Sequence, residues 1–203
     1  MTQPTITHLL YLHGFLSSPG STKARKLCQA VQAARSNVLW WSPQLPASPA
    51  AASRLISEGT QDWPAGRMAV VGSSLGGYYA SWLAERKRCR AVLLNPAVQP
   101  ARDLASSVGQ LPLWHAPGQS LDFRAEYLDE LRKLQVEQPA NGGQTLAIIA
   151  KGDEVLDWRE MAQHHAGAQV LILDGSDHGL SDFDAHIPRV LAFLGLADAA
   201  HPG

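Results

Sequence analysis

The sequence predicts an α/β fold in which a mostly parallel sheet of about six strands has helices on both faces. Short runs rich in Val, Ile and Leu alternate along the chain with longer stretches of helical composition. The apolar runs lack the strict polar–apolar alternation of a sheet with one solvent-exposed face, which indicates parallel strands joined by right-handed crossovers. The predicted strands are Ile6–Leu12, Val38–Trp41, Met68–Val71, Ala91–Leu94, Leu146–Ala150 and Val170–Leu173.

Helices are predicted between and after these strands. In the last of them Pro188 suits the first turn, where the missing N–H has no intrahelical partner to lose. Ile187, Leu191 and Leu194 share one face of that helix. The predicted helices of the alternating pattern are Thr22–Ala34, Ala50–Glu58, Leu75–Arg88, Leu156–Ala166 and Ile187–Leu194.

A long segment, residues 97–144, interrupts the alternation. It shows Pro, Gly and Ser around one predicted helix, Leu121–Val136, and no convincing strand. Insertions of this length over a sheet edge are often lids or binding walls, although an extra surface helix with loose connections is an equal alternative. We therefore expect a single domain over residues 1–203 with a lid-like insertion at about 97–144.

The composition narrows the function classes. Seventeen basic and eighteen acidic residues give a net charge of -1, which argues against a nucleic-acid or anionic-membrane binder. No apolar run reaches the ~18 residues of a membrane span, and the N-terminus lacks the pattern of a secretory signal. Cys28 and Cys89 have no CxxC partner and are predicted to be thiols of a cytoplasmic protein.

The main chemical signal is a serine between the third strand and the following helix. Gly72, Ser74 and Gly76 spell G-x-S-x-G, and small residues allow the tight turn that exposes a nucleophilic hydroxyl. The pattern by itself is weak, since a helix start without chemistry or a phosphate-binding turn would also use Gly and Ser. The strand–turn–helix context favours Ser74 as the nucleophile over its neighbour Ser73.

A serine nucleophile needs a base and an acid that orients the base, and in this fold they follow it in the order acid, histidine. Asp153 lies just past the fifth strand and is the predicted acid. Asp157 is the competitor, although its position before Trp158 suggests a helix N-cap. Glu154 is expected to face solvent.

The predicted base is His178, in the Gly-rich loop that follows the sixth strand. His186, at the start of the final predicted helix, is the fallback. His164 and His165 are adjacent on a helix and point about 100° apart, so they do not form a metal clamp. No metal or organic cofactor is expected.

The loop after the first strand carries His13-Gly14-Phe15. It is predicted to lie beside the serine turn, where the N–H of Phe15, or less favourably Leu16, and the N–H of Leu75 would form an oxyanion hole. His13 is then a brace for this loop. The alternative is an ordinary connection in which Phe15 packs in the core.

These segments, written YLHGFLSSPGSTK, GSSLGGYYA, NPAVQP, KGDEVLD and DHGLSDF, resemble the α/β-hydrolase superfamily and its small bacterial esterases of the YqiA/YcfP type. The resemblance runs from about Leu9 to Phe193 and implies the three-layer fold, the triad Ser74, Asp153 and His178, and hydrolysis of carboxylic esters or acyl thioesters. It is weak over residues 102–119 and therefore says little about the acyl pocket. Leu16 also stands where a polar residue is common.

The resulting prediction is a serine esterase that acts on a small-molecule ester through an acyl-serine intermediate. A serine peptidase or amidase with the same triad, and a non-catalytic hydrolase-like binding module, remain as alternatives. Trp114, Phe123 and Tyr127 are hypothesised to form an apolar wall over the serine. Uncovered sheet edges and the pair Trp40-Trp41 leave a homo-oligomer open.

Overall fold

The structure, a computed structural model, describes residues 5–113, 116–137, 139 and 142–197. Six of the eight strands in these residues form one fully parallel sheet, and the other two form a separate antiparallel hairpin. The strands are β1 (His8–Leu12), β2 (Leu39–Trp41), β3 (Met68–Ser73), β4 (Arg90–Leu94), β5 (Gly109–Pro112), β6 (Ser120–Phe123), β7 (Thr145–Ala150) and β8 (Gln169–Leu173).

The parallel sheet has the order β2-β1-β3-β4-β7-β8. Every residue of β3, β4 and β7 is buried, because helices cover both faces of these central strands. The order and the all-parallel pairing place the carboxyl ends of β3, β7 and β8 at one edge, where ligand sites of open α/β sheets lie.

Helices pack on the two faces of the sheet and complete three layers. α1 and α7 join the apolar cluster on one face, and α2, α3, α5 and α6 join the cluster on the other. This arrangement confirms the predicted fold class. The α-helices of the described residues are α1 (Thr22–Ala34), α2 (Pro49–Gly59), α3 (Leu75–Lys87), α4 (Pro100–Asp103), α5 (Glu126–Lys133), α6 (Trp158–His164) and α7 (Phe183–Leu194).

The inserted segment differs from the prediction. The first part of the predicted helix Leu121–Val136 is strand β6, and α5 spans only Glu126–Lys133. β5 and β6 form a short hairpin, with Gly109 opposite Phe123, where no strand was expected. The prediction was wrong because four-residue strands have too few side chains to show their period, and Gly and Pro in β5 disguise it.

The last helix also begins earlier than predicted. α7 starts at Phe183, which is buried, so Pro188 lies inside the helix and not in its first turn. A proline at that position removes one intrahelical hydrogen bond, the one to the carbonyl of Asp184. Among the described residues, no helix is long and apolar enough to cross a membrane.

Candidate active site

Ser74 occupies the turn between β3 and α3 with an unusual backbone conformation. Its φ of 55° and ψ of -122° lie outside the regions that residues other than glycine favour. The turn is held by hydrogen bonds: the N–H of Ser74 donates to the carbonyl of Leu94 at 3.0 Å, and its carbonyl accepts from Gly77 at 2.8 Å and Ala97 at 3.1 Å. These bonds offset the strain and fix the hydroxyl at the carboxyl edge of the sheet.

The two glycines of the G-x-S-x-G motif are required by close backbone contacts. A Cβ atom on Gly72 would lie 2.1 Å from the carbonyl oxygen of Gly76. A Cβ atom on Gly76 would lie 2.0 Å from the carbonyl oxygen of Leu12. The spacing of the motif therefore reflects how tightly the start of α3 packs against β3 and the end of β1.

Three predicted side chains meet at this edge. His178 Nε2 lies 3.1 Å from Ser74 Oγ, and His178 Nδ1 lies 2.8 Å from Asp153 Oδ2. The side chain of Asp153 is fully buried, and its second oxygen accepts the backbone N–H groups of Val155 and Leu156 at 2.9 and 2.8 Å. Each oxygen of this buried carboxylate therefore has a partner, and the carboxylate has one orientation.

The competing candidates lie elsewhere in the described structure. Asp157 is the N-cap of α6 and accepts the N–H of Arg159 at 2.9 Å, as its position in the sequence predicts. His186 lies within α7, and its Nε2 is 3.0 Å from Asp182. Neither residue contacts Ser74 or His178.

Glu154 differs in part from its expectation. The residue is exposed, but its carboxylate accepts the backbone N–H of His178 at 3.0 Å. The loop that carries His178 is therefore bound at two neighbouring positions after β7: Asp153 contacts the imidazole, and Glu154 contacts the main chain.

Asn95, which follows β4, was missed by the sequence analysis. It is fully buried, and its amide donates to the carbonyls of Asp177 and His178 at 3.0 and 3.2 Å. Its side-chain oxygen accepts the N–H of Ala150 at 2.8 Å. A polar residue directly after a buried strand at this edge was the available signal, and a φ of 42° is a conformation that asparagine tolerates.

The loop after β1 lies against the serine turn. A Cβ atom on Gly14 would lie 3.2 Å from Ser74 Cβ, so this loop approaches closely and carries Phe15 with it. His13 is buried; its Nδ1 lies 2.9 Å from the carbonyl oxygen of Gly14, and its Nε2 accepts the N–H of Leu45 at 3.0 Å. The ring therefore fastens the loop, which is the bracing role expected of it.

The N–H groups of Phe15 and Leu75 are available for a ligand. In the described part of the chain, neither one donates a hydrogen bond to a protein group. Leu75 is the first residue of α3, where the helix dipole adds a partial positive charge. Both N–H groups are therefore candidates for the oxyanion hole expected from the sequence.

Two cavities adjoin the serine turn. The first, called the apolar pocket here, has a volume of about 60 Å³. The hairpin β5–β6 contributes Leu121 and Phe123 to it, and Phe123 packs edge-on against Phe15 with ring centroids 5.1 Å apart. Tyr127 packs behind Phe123, and Trp114 of the hypothesised wall lies outside the described residues. The other side chains that line the apolar pocket include Leu45, Pro46, Leu75 and Tyr79.

The second cavity, called the polar cavity here, is larger, at about 380 Å³, and reaches Ser74 and His178 directly. Most of its remaining lining comes from the end of β1, the loop after β1 and the first turn of α1. These residues include Tyr11, Ser17, Ser18, Thr22, Lys23 and Arg25. Ser74 therefore lines the polar cavity, and the apolar pocket adjoins its turn at Gly14 and Leu75.

Comparison with known proteins places this site in a family. Residues 8–195 match the family described as Uncharacterised protein family UPF0227. The chain belongs to the UPF0227 family. A UPF0227 protein of Yersinia pseudotuberculosis is 23% identical over 125 residues, which cover 61% of this chain and 63% of that relative. The chain thus matches less than two thirds of the length of these curated relatives.

Solved structures that resemble this UPF0227 chain share its fold. Alpha/beta hydrolase domain-containing protein 10 from mouse aligns with a TM-score of 0.74 at 13% identity, covering 96% of this chain and 92% of that one. A structure from LipS and LipT, two metagenome-derived lipolytic enzymes, aligns with a TM-score of 0.67 at 19% identity and covers 94% and 95%. The family member therefore has the α/β-hydrolase fold, as its sequence motifs predicted.

Proposed function

We propose that this UPF0227 protein is a serine esterase that hydrolyses carboxylic esters through an acyl-serine intermediate. The observation that carries the proposal is the chain of contacts from Ser74 Oγ to His178 to the buried Asp153, at 3.1 and 2.8 Å. The position of Ser74 in a strained strand-to-helix turn supports the same conclusion. Likeness in fold to lipolytic enzymes is consistent with it, but does not carry it.

In the acylation step, Ser74 Oγ attacks the ester carbonyl while His178 Nε2 takes its proton. The carbonyl oxygen gains the negative charge and receives the N–H groups of Phe15 and Leu75. Asp153 accepts a hydrogen bond from Nδ1–H, so the proton is kept off Nε2 and the imidazolium that forms is stabilised. The C–O bond then breaks, and His178 returns the proton to the leaving alcohol.

In the deacylation step, a water molecule takes the place of the alcohol. His178 Nε2 removes a proton from the water, and the resulting oxygen nucleophile attacks the acyl-serine carbonyl. Collapse of the second tetrahedral intermediate breaks the bond to Ser74 Oγ, which regains its proton from His178. The products are one carboxylic acid and one alcohol per ester: the Ser74 proton leaves with the alcohol, and a proton from the water restores the serine hydroxyl.

The insertion at about 97–144 takes the role of a wall in this proposal. Its hairpin places Leu121 and Phe123 in the apolar pocket beside Leu75, whose N–H serves the oxyanion. An acyl chain attached to the carbonyl at that point extends into the apolar pocket. The small volume of the pocket favours short acyl chains.

The experiment is covalent labelling of the purified protein with a fluorophosphonate, followed by intact mass and peptide mapping. One adduct on Ser74 is expected, absent in Ser74→Ala and slowed in His178→Ala. Ser73→Ala, which changes the adjacent serine, is the matched control and should label at the wild-type position. A folded wild-type protein that takes no label would refute the proposed function and leave a hydrolase-like binding module.

Ester and amide substrates separate the remaining chemical alternative. We expect p-nitrophenyl esters to be cleaved and the matched p-nitroanilides to be cleaved far more slowly. Faster cleavage of the anilides would replace the esterase with an amidase on the same triad.

A further inference from the structure

For the esterase proposed above, the acyl part of the substrate binds in the apolar pocket and the alcohol part binds in the polar cavity. A general acid must reach the leaving oxygen, so the alcohol part of the ester lies against the imidazole. His178 and Gly179 line the polar cavity and are not among the lining residues of the apolar pocket. The alcohol part is therefore the part that enters the polar cavity.

The charged side chains that line the polar cavity are cationic. Lys23 and Arg25 come from the first two turns of α1, and no acidic side chain is found among the described residues that line the cavity. Arg25 is exposed at the rim and donates to the carbonyl of Gly20 at 2.6 Å. Lys23 is half-buried and lies deeper, next to the loop of the base.

Lys23 has hydrogen-bonding capacity left for a ligand. Its ammonium donates to the carbonyl of Gly179 at 2.5 Å, one residue beyond the base. An ammonium has three hydrogens, so this bond leaves two for a group in the cavity. Burial lowers the pKa of Lys23, while the nearby carboxylates of Asp177 and Asp153 raise it and favour the charged form.

A buried tyrosine also lines this cavity. Tyr11 is fully buried, and its oxygen has no hydrogen-bond partner among the described residues. Burial raises the pKa of Tyr11, and the nearby Ser21 hydroxyl lowers it to a smaller extent. The Ser21 and Tyr11 hydroxyls do not meet the geometry of a hydrogen bond. Ser21 instead caps α1 by accepting the N–H of Ala24 at 3.4 Å. An unpartnered buried donor on a residue that lines the same cavity as Lys23 points to a polar ligand group.

We propose that the polar cavity binds an alcohol part that carries an oxyanionic group, a carboxylate or a phosphate, and that Lys23 contacts this group. The enzyme is then an esterase for a substrate with an apolar acyl chain and an acidic alcohol. Lys23 is the residue that sets this specificity, and Tyr11 adds a hydroxyl donor at the same end.

The test compares butyrate esters that differ at one substituent of the phenol leaving group, which is anionic in two of them and neutral in the third. One ester carries a hydroxynitrobenzoate, a second carries the same phenol methylated on its carboxylate, and a third carries a phosphonate in place of the carboxylate. The wild type should favour the two charged esters over the neutral one in kcat/KM. Lys23→Gln should reduce that ratio by about tenfold, since hydrogen bonds between charged groups are lost. Whichever charged ester is favoured more identifies the anion.

The ratio of charged to neutral ester cancels any general loss that follows from the missing bond to Gly179. Lys26→Gln is the matched control, because Lys26 is on the same helix but pairs with Asp184 outside the cavity. Lys23→Glu should invert the preference. A wild type without preference for charge, or a Lys23→Gln variant with an unchanged ratio, would overturn the proposal.

A binding measurement tests the anion site independently of whether the protein is an esterase. Ser74→Ala protein is titrated calorimetrically with the free hydroxynitrobenzoate and with its methyl ester. Tighter binding of the carboxylate, lost when Lys23→Gln is added, supports the anion site even if no ester is hydrolysed. Equal binding of the two compounds contradicts the anion site even if Ser74 takes the fluorophosphonate label.

Discussion

At the scale of single residues, the site depends on backbone conformations that most side chains avoid. Ser74, Asn95 and Ser176 have φ values of 55°, 42° and 66°, and all three lie in turns at the carboxyl edge of the sheet. Conformations of this kind cost about 1–3 kcal/mol each and persist where the surrounding bonds fix them. Here the bonds come from neighbouring turns, so the three turns support one another.

Asn95 should therefore be important for activity, although its side chain makes no contact with the Ser74 hydroxyl among the hydrogen bonds described. Asn95→Ala removes the amide that donates to Asp177 and His178 and leaves the N–H of Ala150 without its acceptor. We expect the free energy of unfolding to fall by about 1–3 kcal/mol, as for buried groups left without partners. We also expect kcat to fall, because the loop that carries His178 loses its hydrogen bonds to Asn95. Urea unfolding and ester kinetics measure the two effects.

A second variant separates the side chain of Asn95 from its backbone. Asn95→Gly relieves the left-handed φ but restores none of the three hydrogen bonds. Its kcat should stay close to that of Asn95→Ala. Recovery of wild-type kcat in Asn95→Gly would show that the backbone conformation matters and the amide does not.

Asp153 and Asp157, the two candidates for the triad acid in the sequence analysis, provide a test variant and its matched control. Asp153→Asn exchanges a carboxylate that accepts from Nδ1–H for an amide, so His178 loses the partner that holds its tautomer. Ester turnover should fall by about 10³–10⁴-fold, the size seen when a triad acid is neutralised. Asp157→Asn changes only a helix cap and should keep kcat/KM near the wild-type value. Equal losses in both variants would remove Asp153 from the triad.

At the scale of elements, the inserted segment is anchored to the helix layer beneath it. The hydroxyl of Tyr78 on α3 donates to the carbonyl of Leu131 on α5 at 2.5 Å. Glu130 on α5 accepts from the Ser48 hydroxyl at 2.6 Å and from the N–H of Ala50 at 2.9 Å, at the start of α2. These bonds tie α5 to two helices, which favours a fixed wall over a loosely attached surface helix.

A fixed wall predicts that the hairpin sets the acyl-chain length. Leu121→Ala should enlarge the apolar pocket and shift the preference from p-nitrophenyl butyrate toward the octanoate, because the half-buried leucine lines that pocket. Leu111→Ala is the control: this residue faces Leu121 across the hairpin but is not among the pocket residues. The measurement is kcat/KM over a series of acyl lengths. The same profile in both variants would show that the hairpin does not line the acyl site.

At the scale of the whole molecule, the parallel sheet was predictable because its central strands are buried on both faces. Continuous apolar runs such as Met68–Val71 have few other interpretations, and the bounds of the predicted strands differ from the observed ones by one or two residues. The hairpin β5–β6 was not predictable in this way. Its strands pair only with each other, and their partly exposed residues carry no strong pattern.

The residues of the candidate site also divide into those that the sequence predicted and those that it did not. Ser74, Asp153 and His178 come together because the chain order places them after strands that end at one edge of the sheet. Lys23 and Asn95 were missed for a different reason. A lysine in a helix and an asparagine after a strand are common, and their meaning comes only from contacts with residues far away in the chain, 156 residues away in the case of Lys23 and Gly179.

Acid stability is a property of the whole molecule, and His165 should limit it. The ring is 2% exposed at the end of α6, and its Nδ1 has no hydrogen-bond partner among the described residues. Burial and, to a smaller extent, the neighbouring His164 together lower the pKa of His165 to about 3. In the unfolded chain the ring has an ordinary pKa of about 6.5.

Between these two pKa values the unfolded chain binds a proton at this position that the folded protein does not. Stability therefore falls as the pH falls from about 6.5 toward 3, by about 1 kcal/mol for each pH unit from this one group. His165→Leu removes the titrating ring, so its stability should decline less steeply over this range, while the two proteins differ little at about pH 8. Urea unfolding midpoints at a series of pH values measure the difference. Parallel curves for the two proteins would mean that His165 takes up its proton without unfolding, and that the ring has more access to water than its burial implies.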